Sequence, residues 1–240
     1  ALKAIETACA AGFDNINLDL MFGLPGQTAQ QAVEDVALAC SFEPAHISHY
    51  QLTIEPNTYF HKHRPVLPEA DSAWDMQQRC HEILAKHQYL QYEVSAFARA
   101  GMQCRHNINY WQFGDYIGIG AGAHGKTTDI NKQTIQRRWK QRQPYAYIQG
   151  TQQGSPCSGS NRLEPADLLF EFLLNALRLR QGFSYNLFEQ RTGLRRARLL
   201  EACDGIDTDL LVFSDEGLNT SERGFDFLND VLQHFMVSME

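Results

Sequence analysis

The stretch from residue 15 to residue 54 constrains the fold more than any other part of this chain. Asn15-Ile16-Asn17-Leu18-Asp19-Leu20-Met21-Phe22 alternates polar and apolar residues, as a strand with two unlike faces does. Gly23-Leu24-Pro25-Gly26-Gln27-Thr28 interrupts it with turn residues. Thr28 is suited to cap a helix running to about Phe42, with Val33, Val36, Ala37 and Cys40 inward. Residues 46–54 then read as a second strand. Strand, helix and strand joined by short loops predict a parallel crossover. Sites in such sheets gather at the C-terminal ends of the strands. Asp19 is therefore the first candidate, expected near the end of its strand. It is either a solvent-facing strand residue or a carboxylate that accepts hydrogen bonds from a ligand's amine or ribose hydroxyl.

The middle of the chain carries the densest chemistry. A helix is expected over residues 69–86 and a strand over 91–98. Cys104-Arg105-His106-Asn107-Ile108-Asn109-Tyr110-Trp111 follows, read as a loop, and then the alternating Ile117-Gly118-Ile119-Gly120-Ala121-Gly122-Ala123-His124-Gly125, read as a strand. Glycines at that spacing let a backbone pass close to another backbone or to a flat ligand. His106 has two readings. It is a packed histidine in an aromatic core, or an imidazole ligand for heme iron with Tyr110 and Trp111 against the macrocycle. His61-Lys62-His63 is a rival metal-binding pair in a polar, Pro-flanked stretch, more simply read as a solvated loop.

These segments resemble the HemW/HemN family of radical S-adenosylmethionine proteins, which comprises heme chaperones and oxygen-independent coproporphyrinogen III oxidases. The resemblance rests on Leu18–Thr28, on Tyr92-Glu93-Val94-Ser95-Ala96-Phe97-Ala98, on His106-Asn107-x-x-Tyr110-Trp111 and on the glycine-rich run from Asp115 to His124. It covers essentially the whole chain, and the HNxxYW match points to the heme chaperone over the oxidase.

The resemblance implies an α/β fold: the last strands of a radical-SAM (β/α) barrel, followed by a mainly helical, winged-helix-like domain. It implies a [4Fe–4S] cluster and S-adenosylmethionine in the complete protein, with heme as cargo for a respiratory protein. Asp19, Thr53 and His124 would contact S-adenosylmethionine. His106, Asn107, Tyr110 and Trp111 would form the heme site, with His106 on the iron and Asn107 orienting its ring. The family's CxxxCxxC cluster motif is not in these 240 residues, whose cysteines stand apart at positions 9, 40, 80, 104, 157 and 203. Three closely spaced thiolates are needed to leave one iron open, so this stretch alone is not expected to cleave S-adenosylmethionine. Ala1 in place of Met marks the chain as processed or as the continuation of a longer product. A barrel reduced to its last strands has an open edge, which is expected to be covered by a second copy, giving a homodimer, or by a swapped segment.

Boundaries are expected at a Gly/Gln/Ser-rich linker, residues 151–160, between a barrel part (1–150) and a terminal domain (161–240). In the terminal domain, a helix opened by Pro165, two short helices split at Gly193, a hairpin over 210–219 and a last helix capped by Ser221 give the winged-helix pattern. That pattern raises DNA binding as a second function. The domain carries eight arginines against fourteen Asp and Glu, and the whole chain has a formal charge of −7, so no nucleic-acid partner is expected. With no run of about 18 apolar residues, membrane contact is expected to be peripheral at most, and the scattered cysteines, with no secretory signal at the start, read as reduced thiols and so as a cytoplasmic location.

Overall fold

The computed structural model describes residues 1–237. They form two compact units that meet in sequence at Cys104/Arg105.

In the first unit the order is α1 (Leu2–Ala10), β1 (Asn17–Phe22), α2 (Ala29–Ser41), β2 (His46–Gln51), α3 (Tyr59–Lys62), α4 (Ala70–Lys86), β3 (Leu90–Glu93) and β4 (Ala96–Ala98). The sheet order is β1-β2-β4-β3. β1 and β2 run parallel, from Asn17 opposite His46 to Phe22 opposite Gln51, as the strand–helix–strand pattern predicts. Thr28 caps α2 as expected. Its hydroxyl accepts from the Gln31 backbone N–H, while the Gln31 side chain accepts from the Thr28 N–H at 2.9 Å. Residues 91–98 form a tight hairpin rather than one strand, because Glu93 accepts from the Ser95 N–H at 3.0 Å and closes the turn. One face of the sheet carries Leu18, Leu20, Phe22, Ile47 and Phe97. These pack with Val36 and Cys40 of α2 and with Met76, Cys80 and Leu84 of α4. The other face carries the polar half of the alternation.

The second unit comprises α5 (Arg105–Trp111), β5 (His124–Asp129), β6 (Thr134–Lys140), α6 (Pro144–Gln152), β7 (Cys157–Arg162), α7 (Pro165–Ala176), β8 (Phe183–Ser184), α8 (Tyr185–Thr192), α9 (Arg196–Ala202), β9 (Leu211–Phe213), β10 (Gly217–Thr220), α10 (Glu222–Asp226) and α11 (Leu228–Val237). β5, β6 and β7 form an antiparallel sheet, and β8, β10 and β9 a second one in that order. From α7 to β10, helix, strand, two helices and two strands give the expected winged-helix-like arrangement. Gly193, at φ 73°, ends α8 in the left-handed conformation that glycine adopts without strain.

Three local expectations are corrected. Residues 157–160, expected to be linker, belong to β7, where small polar residues suit an exposed edge strand beside β6. The HNxxYW segment is helical, not a loop; residues 105–111 contain neither Gly nor Pro to break a helix. The glycine run is not a strand. Gly120 (φ 112°) and Gly122 (φ 71°) leave extended geometry, so residues 117–123 are a loop, held by the Tyr116–Lys126 bridge at its start and by the Gly120 N–H on the Tyr147 hydroxyl at 3.1 Å and the Gly122 N–H on the Gln141 carbonyl at 2.8 Å.

The close backbone approach expected of these glycines is present at Gly118, where an added Cβ would stand 2.1 Å from the His124 carbonyl oxygen. Gly118→Ala should cost about 1–3 kcal/mol through forced backbone displacement. A shift of the urea midpoint, followed by Trp fluorescence, measures it.

Candidate functional site

Two groups of side chains carry the candidate chemistry, one in each unit.

On the polar face of the first sheet, Asn17 and Asp19 of β1 lie beside His46 and Ser48 of β2, since a parallel register with period 2 puts alternate residues on one face. Asp19 stands third of six residues, in mid-strand rather than at the C-terminal end, and is exposed. Its Oδ1 accepts from Asn17 Nδ2 at 2.8 Å. Asn17 Oδ1 in turn accepts from His46 Nδ1 at 2.6 Å and from the Ser48 hydroxyl at 3.2 Å. His46 is buried, and its Nε2 lies 2.8 Å from the Tyr92 hydroxyl of β3. Burial pulls the His46 pKa down; the nearby Asp19 charge opposes this with a smaller effect. Thr53 lies two residues past β2, outside this row, with its hydroxyl on Glu55 at 3.2 Å. The sequence reading singled out Asp19 and missed Asn17, His46, Ser48 and Tyr92. The signal for the first three was the polar half of the alternation in both strands.

In the second unit, α5 presents all four residues of the HNxxYW motif within about two turns. His106 and Tyr110 share one side at i, i+4, and Asn107 and Trp111 another. His106 is exposed, and its ring makes no hydrogen bond among the described residues. Asn107 makes none to it, so the expected orienting role is not seen in this conformation.

Tyr110 and Trp111 are half-buried and anchor the helix. Their rings meet edge to face at 5.1 Å, Tyr110 lies 5.0 Å from the Tyr116 ring, and the Arg178 guanidinium sits 4.3 Å over the Trp111 ring. One face of the indole is therefore already covered, while its buried Nε1–H has no acceptor among the described residues. The anchor continues through Tyr116, whose hydroxyl accepts from Arg137 at 2.5 Å, and Arg137 pairs with Glu171. Burial pushes the Tyr116 phenol up to about 12, so it stays neutral. Asp115, next along the loop, accepts from the buried Lys126 ammonium at 2.9 Å and from the Thr128 N–H at 2.7 Å. His106, like Arg105 before it, is thus exposed on a helix whose aromatic end is pinned to its unit.

His124 stands on β5, exposed, opposite Trp139, with ring centroids 6.4 Å apart. It belongs to the sheet surface, not to the α5 group. His61 lies in α3 and His63 just after it, where the His63 ring packs on Tyr59 at 4.6 Å. Among the described residues no group of three or more His, Cys, Asp or Glu side chains is arranged to hold a metal ion.

Comparison with known proteins gives a consistent result. The model of the HemN C-terminal domain matches residues 163–227. The chain is 40% identical over 237 residues to the heme chaperone HemW of Haemophilus influenzae, covering 98% of this chain and 61% of that protein. To the heme chaperone HemW of Escherichia coli it is 41% identical over the same length and shares. The chain therefore spans about three fifths of the length of these relatives. Among solved structures, the coproporphyrinogen III oxidase HemN of Escherichia coli, a radical SAM enzyme, superposes with a TM-score of 0.75 at 18% identity, over 97% of this chain and 57% of that one. That likeness establishes the partial barrel fold.

Proposed function

Because this chain belongs to the HemW-like family, we propose that the full-length protein binds heme and S-adenosylmethionine and delivers the heme to a respiratory protein. One observation carries the reading: an exposed imidazole, His106, stands free on a helix whose neighbouring aromatic residues are locked in place. A neutral imidazole on a rigid helix is the donor that heme iron takes. Tyr110 offers an aromatic edge beside it, and Trp111 supports the helix from behind. Asn107, unengaged with the ring here, would orient it only once iron is bound.

Asp19 fits the second ligand. Its carboxylate is exposed and has one oxygen free to accept from an amine or a ribose hydroxyl. Thr53, whose hydroxyl is engaged with Glu55, and His124, on the exposed surface of β5 in the second unit, are weaker contacts in this proposal. The residues present do not fit the [4Fe–4S] cluster, since the cysteines stand far apart in sequence and no metal-holding group is found among the described residues. The cluster would be held by a CxxxCxxC motif outside these 240 residues. The free edge of β1 would be covered by further barrel strands, or in the isolated chain by a second copy. No helix among the described residues is long and apolar enough to cross a membrane. A cytoplasmic location with at most peripheral membrane contact is part of this proposal. The acid-rich terminal domain gives no basic footprint for nucleic acid.

The competing reading is anaerobic oxidative decarboxylation of coproporphyrinogen III. Anaerobic assay of the full-length protein separates the two: stoichiometric heme uptake without conversion of coproporphyrinogen supports the chaperone, and sustained conversion overturns it. Asp19→Ala should weaken S-adenosylmethionine binding about ten- to hundredfold, the loss of one charge-assisted hydrogen bond, without unfolding the protein. Unchanged affinity by calorimetry removes Asp19 from the site.

A further inference from the structure

The hydrogen bonds on the polar sheet face fix their own direction. An ionised carboxylate only accepts, so the Asn17 amide nitrogen must face Asp19 and its oxygen must face His46. That oxygen cannot donate, so the proton between Asn17 and His46 sits on Nδ1. In a neutral ring Nε2 is then the acceptor, and the Tyr92 hydroxyl, 2.8 Å away, donates to it. All three bonds run the same way, from Tyr92 through His46 and Asn17 to Asp19, and bonds so aligned polarise one another. The row holds Asp19 Oδ1 and leaves Oδ2 without a hydrogen bond among the described residues. Ala96 and Ala98 of β4, which pair with Ser48 and His46, add no bulk to the same face.

We propose that Tyr92, His46 and Asn17 form a positioning relay that fixes the Asp19 carboxylate with Oδ2 presented to a hydrogen-bond donor of the bound S-adenosylmethionine. This rests on the reading of Asp19 given above. His46 and Tyr92 touch no ligand in this role; they act through Asn17.

The test uses the full-length protein, with S-adenosylmethionine as titrant in calorimetry and imidazole ¹⁵N NMR of the ligand-free protein. NMR should report His46 as the Nδ1–H tautomer; the Nε2–H tautomer overturns the relay without any variant. His46→Phe keeps the ring volume and removes both nitrogens, and should weaken binding about tenfold. Tyr92→Phe, the milder change, should weaken it a few fold, and it stands in for His46→Phe should that variant not fold.

The deciding comparison is a double-mutant cycle. If His46 acts through Asp19, Asp19→Asn should cost much less in the His46→Phe background than alone. Full additivity, or unchanged affinity in His46→Phe and Tyr92→Phe while Asp19→Asn alone still weakens binding, overturns the relay and leaves Asp19 in the site. Unchanged affinity in Asp19→Asn alone overturns both.

Discussion

Phe172→Ala should lower the stability of the unit that begins at Arg105 by about 3–5 kcal/mol, the usual cost of deleting a fully buried phenyl ring. Phe172 lies in the middle of α7 and has no exposed surface. Its ring meets Phe183 of β8 edge to face at 4.8 Å, Phe188 of α8 at 5.1 Å and Phe113, just past α5, at 5.9 Å. One side chain thus ties the winged-helix-like elements to the end of the HNxxYW helix. Phe113 also covers the buried Lys126 ammonium at 4.2 Å. The cavity left by alanine would be lined by three rings held by their own elements, so it should collapse poorly. The urea unfolding transition, followed by the fluorescence of Trp111 and Trp139 in a Trp74→Phe background that silences the tryptophan of the first unit, reads this unit. A loss below about 1 kcal/mol would show that the site relaxes and that Phe172 is no hub.

Much of the fold was legible because local chemistry and tertiary packing agree. The alternation in residues 17–22, the Thr28 cap and the second strand from His46 all stand where their pattern places them. The segment after Cys104 was misread because its aromatic and amide residues have weak helix propensity. What holds α5 is packing of Tyr110 and Trp111 against Tyr116 and Arg178, which residue spacing does not reveal. Glycines 118–122 looked like a strand because they alternate with small apolar residues, but positive φ at two of them turns the chain away from a ladder. The linker reading failed at residues 157–160 for a related reason: an exposed edge strand needs no apolar face, so its composition resembles a loop. Asp19 was visible as a charge in an apolar run. Its partners were not, because His46 and Tyr92 lie 27 and 73 residues away and only the sheet order β1-β2-β4-β3 gathers them.

His106 should behave as a ligand and not as a packing residue. It is exposed on α5 and its ring has no hydrogen bond among the described residues, so removing it deletes no buried contact. Surface changes of this kind stay within about 0.5 kcal/mol, a shift of the melting midpoint of about 1–2 °C for a protein of this size. Trp111→Ala should do the reverse. It removes the ring that Arg178 covers and loosens α5, so stability falls and heme binding suffers only through the helix.

Heme titration into full-length wild-type protein and its His106→Ala variant, read in the Soret region, tests the central claim most directly. The expected result is a stoichiometric, histidine-ligated spectrum in the wild type that is lost in the variant at an unchanged melting temperature. An unaltered Soret band in a His106→Ala protein that still binds one heme would contradict it.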